Sequence, residues 1–295
     1  MIHRTFEIPL EPGSATEEAA AAIHGDLRLP EGPAPRAAVI VAHGFKGFKD
    51  WGFFPHLCER LAGEGFAVVS FNFSLNGVHP SAPTEFSDLD AFGRNTLTRE
   101  LDDLHRVLDE TARGDLLPRR PDRVGLLGHS RGGGSAILAA REREVHALVT
   151  WCAVATFDRW MHSTKREWRG KGRIFVANAR TGQQMPLDVG LLEDFEANRE
   201  RLDVEGAAAA VRAPWLIVHG AEDESVPVYE AERLARAASR TATGGPRPGA
   251  RLRIVEGAGH TFEVGHPFEA PSPELEDAVE ASVDHFREHL HEAGS

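Results

Sequence analysis

Cysteine is almost absent: Cys58 and Cys152 are the only two in 295 residues, and each sits inside an apolar segment. That count excludes a disulfide scaffold and reads as two buried free thiols. No run approaches the ~18 uninterrupted apolar residues of a membrane span. The opening MIHRTFEIPLEPG lacks the apolar region of a signal peptide. A cytoplasmic location without membrane attachment is the expectation. Positive charge is in deficit, with 33 Lys and Arg against 45 Asp and Glu, a net charge of −12. Such a balance argues against nucleic acid or an anionic membrane surface as partner. No G-x-x-x-x-G-K-[ST] is present, no G-x-G-x-x-G follows a strand, and no Cys/His spacing suggests zinc. Neither a cofactor nor a metal is expected, and no internal repeat is visible. The rest is ordinary for a soluble domain, 41 % apolar and 26 % charged, in a chain long enough to bury a full core.

Apolar runs alternate with helical spacings. Strands are expected over Thr5–Leu10, Ile23–Leu29, Ala37–Ala42, Phe66–Phe73, Val124–Gly128, His146–Cys152, Trp215–His219 and Leu252–Val255. Most are continuously apolar, the mark of strands covered on both faces. Helices are expected over Phe53–Gly63, Asp88–Ala112, the stretch after Ser130, Tyr229–Ala238 and Pro273–His291, with turns or loops at 14–22 and 241–250. The alternation predicts a mostly parallel eight-stranded α/β sheet with helices on both faces and an antiparallel N-terminal edge. In such sheets, sites collect at the C-terminal ends of the strands. Residues 153–210 break the pattern, with a hairpin expected to turn near Arg180-Thr181-Gly182 and an acidic helix over Val189–Leu202. They predict a cap inserted after the sixth strand, between core segments 1–152 and 211–295; a second packed layer without a functional role is the alternative.

The richest stretch is DRVGLLGHSRGGGSAILAA (122–140), an apolar strand, then Gly128-His129-Ser130-Arg131-Gly132, then a small-residue helix. A G-x-S-x-G between strand and helix holds its serine in a tight, strained turn with Oγ exposed. A serine needs a base to take its proton and an acid to orient that base. His260, in GAGH after the LRIV strand, is the best base, with His266 its rival. His43, His129 and His219 also end strands, but beside glycine turns, where they suit orienting backbone. The acid should follow a strand between serine and base. HGAEDESVP (219–227) offers Asp223, flanked by Glu222 and Glu224. Ser130, Asp223, His260 is the chain order that accompanies this elbow. Backbone N–H groups to receive negative charge are expected from Arg131 and from Phe45, in HGFKGFKDWGFF (43–54) after the AAVIVA strand.

The ordered set HGF, GHSRGG, HGAED and GAGH resembles the serine hydrolases of the alpha/beta-hydrolase superfamily, over about Ile23 to His291. The short HGF loop and the insert after the sixth strand resemble dienelactone-hydrolase-like and feruloyl (cinnamoyl) esterase-like members. The resemblance implies a triad of Ser130, Asp223 and His260, with Phe45 and Arg131 as donors. Dienelactone hydrolases themselves carry cysteine as nucleophile, so the serine departs from that activity. The implied activity is hydrolysis of a small to medium carboxylic ester through an acyl-enzyme. Aromatic and thioether side chains at Trp51, Trp160, Met161, Trp168 and Met185 are candidates to line the pocket, or to seal a cap. Residues 158–173 carry six basic and two acidic side chains, either an attraction for acidic substrate or a solvated face. Two other readings stand. One is a peptidase of the aminopeptidase or prolyl-oligopeptidase-like type, for which Glu193, Asp194 and Glu196 would anchor an amine. The other is a binding protein that keeps the fold without turnover.

Overall fold

The computed structural model describes residues 1–10, 22–178, 181–240 and 249–291. Residues 14–21 and 241–248 of the expected turn and loop, and Arg180 of the expected hairpin turn, lie outside them. The apolar runs become β1 (Ile2–Pro9), β2 (Ala22–Leu29), β3 (Ala37–Ala42), β4 (Ala67–Phe71), β5 (Arg123–His129) and β6 (Ala147–Trp151). After an inserted pair, β7 (Arg173–Ala177) and β8 (Gln184–Asp188), come β9 (Trp215–Gly220) and β10 (Arg251–Val255). The main sheet has eight strands in the order β1-β2-β4-β3-β5-β6-β9-β10. From β4 to β10 every pairing is parallel, while β2 pairs antiparallel with both β1 and β4.

Every residue of β3, β4, β6 and β9 is buried, which is why their sequences lack the alternation of a half-exposed strand. Helices α1 (Phe54–Gly63) and α9 (Pro273–Leu290) pack together on one face. On the other, α3 (Leu97–Arg113), α4 (Arg131–Glu142), α7 (Val204–Ala208) and α8 (Tyr229–Ala238) follow one another in contact. Both cysteines are free and buried; burial pushes the Cys58 thiol up to about 11 and holds the Cys152 thiol well above the ordinary thiol range.

The single helix expected over Asp88–Ala112 is two, α2 (Leu89–Arg94) and α3. Leu97, Leu101, Leu104 and Leu108 share one side, but they all follow a break at which Asn95 and Thr96 are extended, and the Thr96 side chain accepts the Arg99 N–H. Asn95 Nδ2 donates to the buried Glu100 at 2.7 Å. Local side-chain hydrogen bonds thus compete with the helix and win. Thr96→Ala is expected to cost about 1 kcal/mol in chemical denaturation, the usual worth of an N-cap.

Between β6 and β9 lie α5 (His162–Lys171), the antiparallel β7–β8 pair, α6 (Val189–Ala197) and α7. The pair and α6 rest on α2 and α3. The acidic helix ends at Ala197, short of the expected Leu202. Trp168 is fully buried and its indole N–H donates to Leu187 O at 2.8 Å, closing α5 onto β8.

Candidate active site

Parallel register brings the ends of β3, β5, β6, β9 and β10 to one edge, and the loops leaving them meet there. Ser130 lies between β5 and α4 with φ 57 and ψ −120, a left-handed conformation that a side chain adopts only under constraint. The neighbouring glycines supply that constraint. A Cβ on Gly128 would lie 2.3 Å from Gly132 O, and one on Gly132 would lie 2.2 Å from His43 O. Strand, helix and the loop after β3 therefore touch through bare backbone. A Cβ on Gly44 would lie 2.9 Å from Ser130 Cβ, so the 43–47 loop runs directly beside the serine.

His260 Nε2 is 3.0 Å from Ser130 Oγ, and its Nδ1 is 2.7 Å from Asp223 Oδ2. The carboxylate accepts only, so it fixes the proton on Nδ1 and leaves the Nε2 lone pair facing the hydroxyl. Asp223 Oδ1 accepts the N–H groups of Ser225 and Val226, each at 2.8 Å. Burial pushes the Asp223 pKa up, but the His260 hydrogen bond and charge, with the Val226 N–H, outweigh it and hold the carboxyl below the ordinary aspartate range. Glu222 and Glu224 on either side are exposed. The rival His266 is committed elsewhere, with Nδ1 accepting the Gly52 N–H at 3.1 Å and its ring against Phe48 and Trp51.

The remaining strand-end histidines brace loops. His129 Nε2 lies 2.9 Å from His260 O, tying the residue before the serine to the backbone of His260. His219 Nε2 holds Val226 O at 2.7 Å, which closes the turn that carries Asp223. His43 Nδ1 reaches Gly44 O at 2.9 Å and Nε2 accepts the Phe73 N–H at 3.3 Å, a pairing that suits only the neutral ring. Burial pushes the His43 pKa down to about 4, from an ordinary 6.5. The unfolded chain therefore binds this proton more tightly than the folded one. The resulting stability is complete above about pH 6.5 and is lost as the pH falls toward about 4. The loss is roughly 3 kcal/mol, and urea midpoints measured from pH 7 to pH 4 should fall accordingly. His285, pushed down to about 4 chiefly by burial, adds to the fall.

A cavity of about 620 Å³ opens over Ser130 and His260, walled by Phe45, Trp51, Phe157, Trp160 and Val264 among others. Of the five candidate lining residues, it is Trp51 and Trp160 that reach it. Trp168 and Met185 are fully buried in the insert, and Met161 is 73 % exposed. These three do not line the cavity, because apolar character alone does not say which way an inserted element faces. The basic stretch 158–173 is largely matched by acids: Lys165 with Asp158, Lys171 with Glu167, Arg169 with Glu196 and Arg173 with Asp188. From it Arg159 reaches the cavity, held by the buried Glu230 at 2.5 Å and by Ser225 O at 2.8 Å. No local pattern in the sequence announces that pairing across 71 positions.

A mostly parallel sheet with a strained serine elbow, and an acid and a histidine on later strand ends, defines the α/β-hydrolase fold. The sequence matches the dienelactone hydrolase family over residues 23–290, and the chain belongs to that family of hydrolases. A putative hydrolase from Agrobacterium vitis S4 superposes with a TM-score of 0.70 at 20 % identity, covering 99 % of this chain and 100 % of that one. Est1E from Butyrivibrio proteoclasticus, also solved with ferulic acid bound, gives 0.64 at 20 % identity over 96 % of this chain and 98 % of its own. These likenesses speak to fold. Among curated proteins, 2,6-dihydropseudooxynicotine hydrolase from Paenarthrobacter nicotinovorans is 25 % identical over 202 residues, 67 % of this chain and 47 % of that protein. An uncharacterized peptidase of Bacillus subtilis, YuxL, is 27 % identical over 78 % of this chain and 33 % of its own length. The chain spans about half or less of both curated relatives. Among the described residues, no helix is long and apolar enough to cross a membrane.

Proposed function

We propose that the chain is a serine esterase that cleaves small to medium carboxylic esters through an acyl-enzyme, with Ser130 as nucleophile. The observation that carries the reading is the relay from Ser130 Oγ through His260 to Asp223, at 3.0 and 2.7 Å. His260 Nε2 takes the hydroxyl proton as Oγ attacks the acyl carbon, then passes it to the departing alkoxide. Water, deprotonated by the same nitrogen, attacks the acyl-enzyme and releases acid and free serine. Asp223 steadies the imidazolium in both halves. The N–H groups of Phe45 and Arg131 receive the oxyanion. Among the described residues, neither N–H donates to a turn, loop or side-chain acceptor. Arg131 also opens α4, where helix N–H groups lack internal partners and the dipole favours negative charge. Of residues 153–210, the segment leaving β6 serves as a cap and supplies Val154, Phe157, Arg159 and Trp160 to the cavity, while α7 belongs to the helix layer beside α4 and α8.

An amine-anchored peptidase fits less well. Among the described residues, the cavity is lined by the cations Lys46, Arg131 and Arg159 and by no carboxylate. Asp194 is spent on Thr98 and Asn198, and Glu196 on Arg169. A fluorophosphonate, an ester panel graded by acyl size and an aminoacyl amide dye test the proposal together. Labelling at Ser130 with ester turnover is expected; dye release without ester turnover, or no labelling, would overturn it.

A further inference from the structure

We propose that the Arg131 side chain is a positioning residue for the oxyanion site, acting on the Phe45 N–H through the face of the Phe45 ring. The inference rests on the serine esterase reading above. The two backbone donors differ in how firmly they are held. Arg131 begins α4, and that helix start is jammed against the loop after β3 through Gly132 and His43 O. Its N–H is aimed by the elbow itself. Phe45 sits in a four-residue turn closed by the Gly47 N–H on Gly44 O at 3.1 Å, and Lys46 beside it has φ 55. Rotation of the Gly44–Phe45 peptide in such a turn would swing the N–H away from the serine, so something outside the turn must hold the residue.

The Phe45 ring supplies the handle. The Arg131 guanidinium carbon lies 3.9 Å from its centroid, and the Phe92 ring packs 5.6 Å away. The guanidinium is itself fixed, since Nη1 donates to Glu100 Oε1 at 3.1 Å, and the same oxygen accepts Asn95 Nδ2 at 2.7 Å. Arg131 is 8 % exposed and Glu100 4 %. A continuous contact therefore runs from α3 through Glu100 and Arg131 to the ring of Phe45. The two residues that carry the donors are stacked on each other, so the fixed Arg131 side chain restrains Phe45 from outside its turn. A planar, always-charged fork can stack on a ring and pair with a carboxylate at once; a lysine ammonium cannot lie flat on the ring while doing so.

Removing a whole oxyanion donor costs about 10²–10³ in kcat. Loosening one without removing it should cost roughly 10- to 50-fold in kcat with KM within about 3-fold, because the lost contact forms in the transition state. The test is a double-mutant cycle on the full chain, with Arg131→Ala, Phe45→Leu and the pair, and with Arg131→Lys and Glu100→Gln as milder variants. Turnover of a neutral p-nitrophenyl ester, turnover of a carboxylate-bearing ester of similar size, and affinity for a boronic acid are measured for each.

Expected are matching kcat losses in both single variants, no further loss in the pair, boronate affinity falling in step, partial retention in Arg131→Lys, and an intermediate loss in Glu100→Gln. Unchanged kcat in Arg131→Ala or Phe45→Leu overturns the proposal. So do losses that multiply in the pair, or a loss confined to the carboxylate-bearing ester, which would make Arg131 a substrate-binding group. If Arg131→Ala does not fold, Phe45→Leu and Glu100→Gln still decide. Ser130→Ala, run alongside, separates the two levels. Turnover surviving in that variant sinks the esterase reading itself, whereas an inactive Ser130→Ala beside an unaffected Arg131→Ala sinks only the positioning role.

Discussion

Ser130→Ala is expected to lower kcat for a p-nitrophenyl ester by at least about 10⁴-fold, with the thermal midpoint unchanged or slightly raised. Losing the nucleophile removes the covalent route, leaving binding and the backbone donors to act on water, which accounts for a residual of only about 10³–10⁴ over the uncatalysed rate. The hydroxyl contributes little to the fold: among the described residues its side-chain partner is His260 Nε2, and that ring keeps its Asp223 bond. Undiminished turnover in purified Ser130→Ala would place the chemistry elsewhere in the cavity.

Asp223→Asn should be almost as severe, about 10⁴-fold in kcat, for a reason specific to this loop. Oδ1 is pinned by two backbone donors, the Ser225 and Val226 N–H groups. An asparagine must keep its oxygen there, which turns its amide nitrogen toward His260 Nδ1, where Oδ2 now sits. Donor would then face donor. To avoid that the imidazole must carry its proton on Nε2, and in that tautomer it cannot accept the serine proton. The amide cannot flip without leaving both backbone N–H groups unpaired. The measurement is kcat/KM beside a thermal melt. A loss below about 10-fold with the fold intact would mean that Asp223 does not set the tautomer.

The sheet and its site edge were legible because most strands are apolar runs, β3, β5, β9 and β10 have a glycine at or just past their ends, and in a parallel sheet those ends share one side. Ser130, Asp223 and His260 meet as expected for that reason: each follows its strand by a few residues, so the register of β5, β9 and β10 carries them to one place. Less legible was anything that depends on side-chain direction. The break at Asn95–Thr96 falls just before Leu97, where the leucine spacing begins, and two polar residues there do not by themselves announce a helix start. Trp168 and Met185 pointed inward rather than toward the cavity, and Arg159 found Glu230 through tertiary packing alone. The Arg131–Phe45 stack is invisible for the same reason, although the motifs mark both residues through their backbone N–H groups.

The division of the relay between two parts of the sheet has a consequence for how the protein fails. Ser130 leaves the central strand β5, whereas Asp223 and His260 both leave the outermost pair, β9 and β10. Among the described residues β10 has a single neighbouring strand, and its Arg251, Leu252 and Arg253 are exposed. Opening of that margin is a local event that leaves the interior layers standing. Chemistry should therefore disappear in mild denaturant before global unfolding begins, and the durability of this catalyst is set at its border rather than in its core.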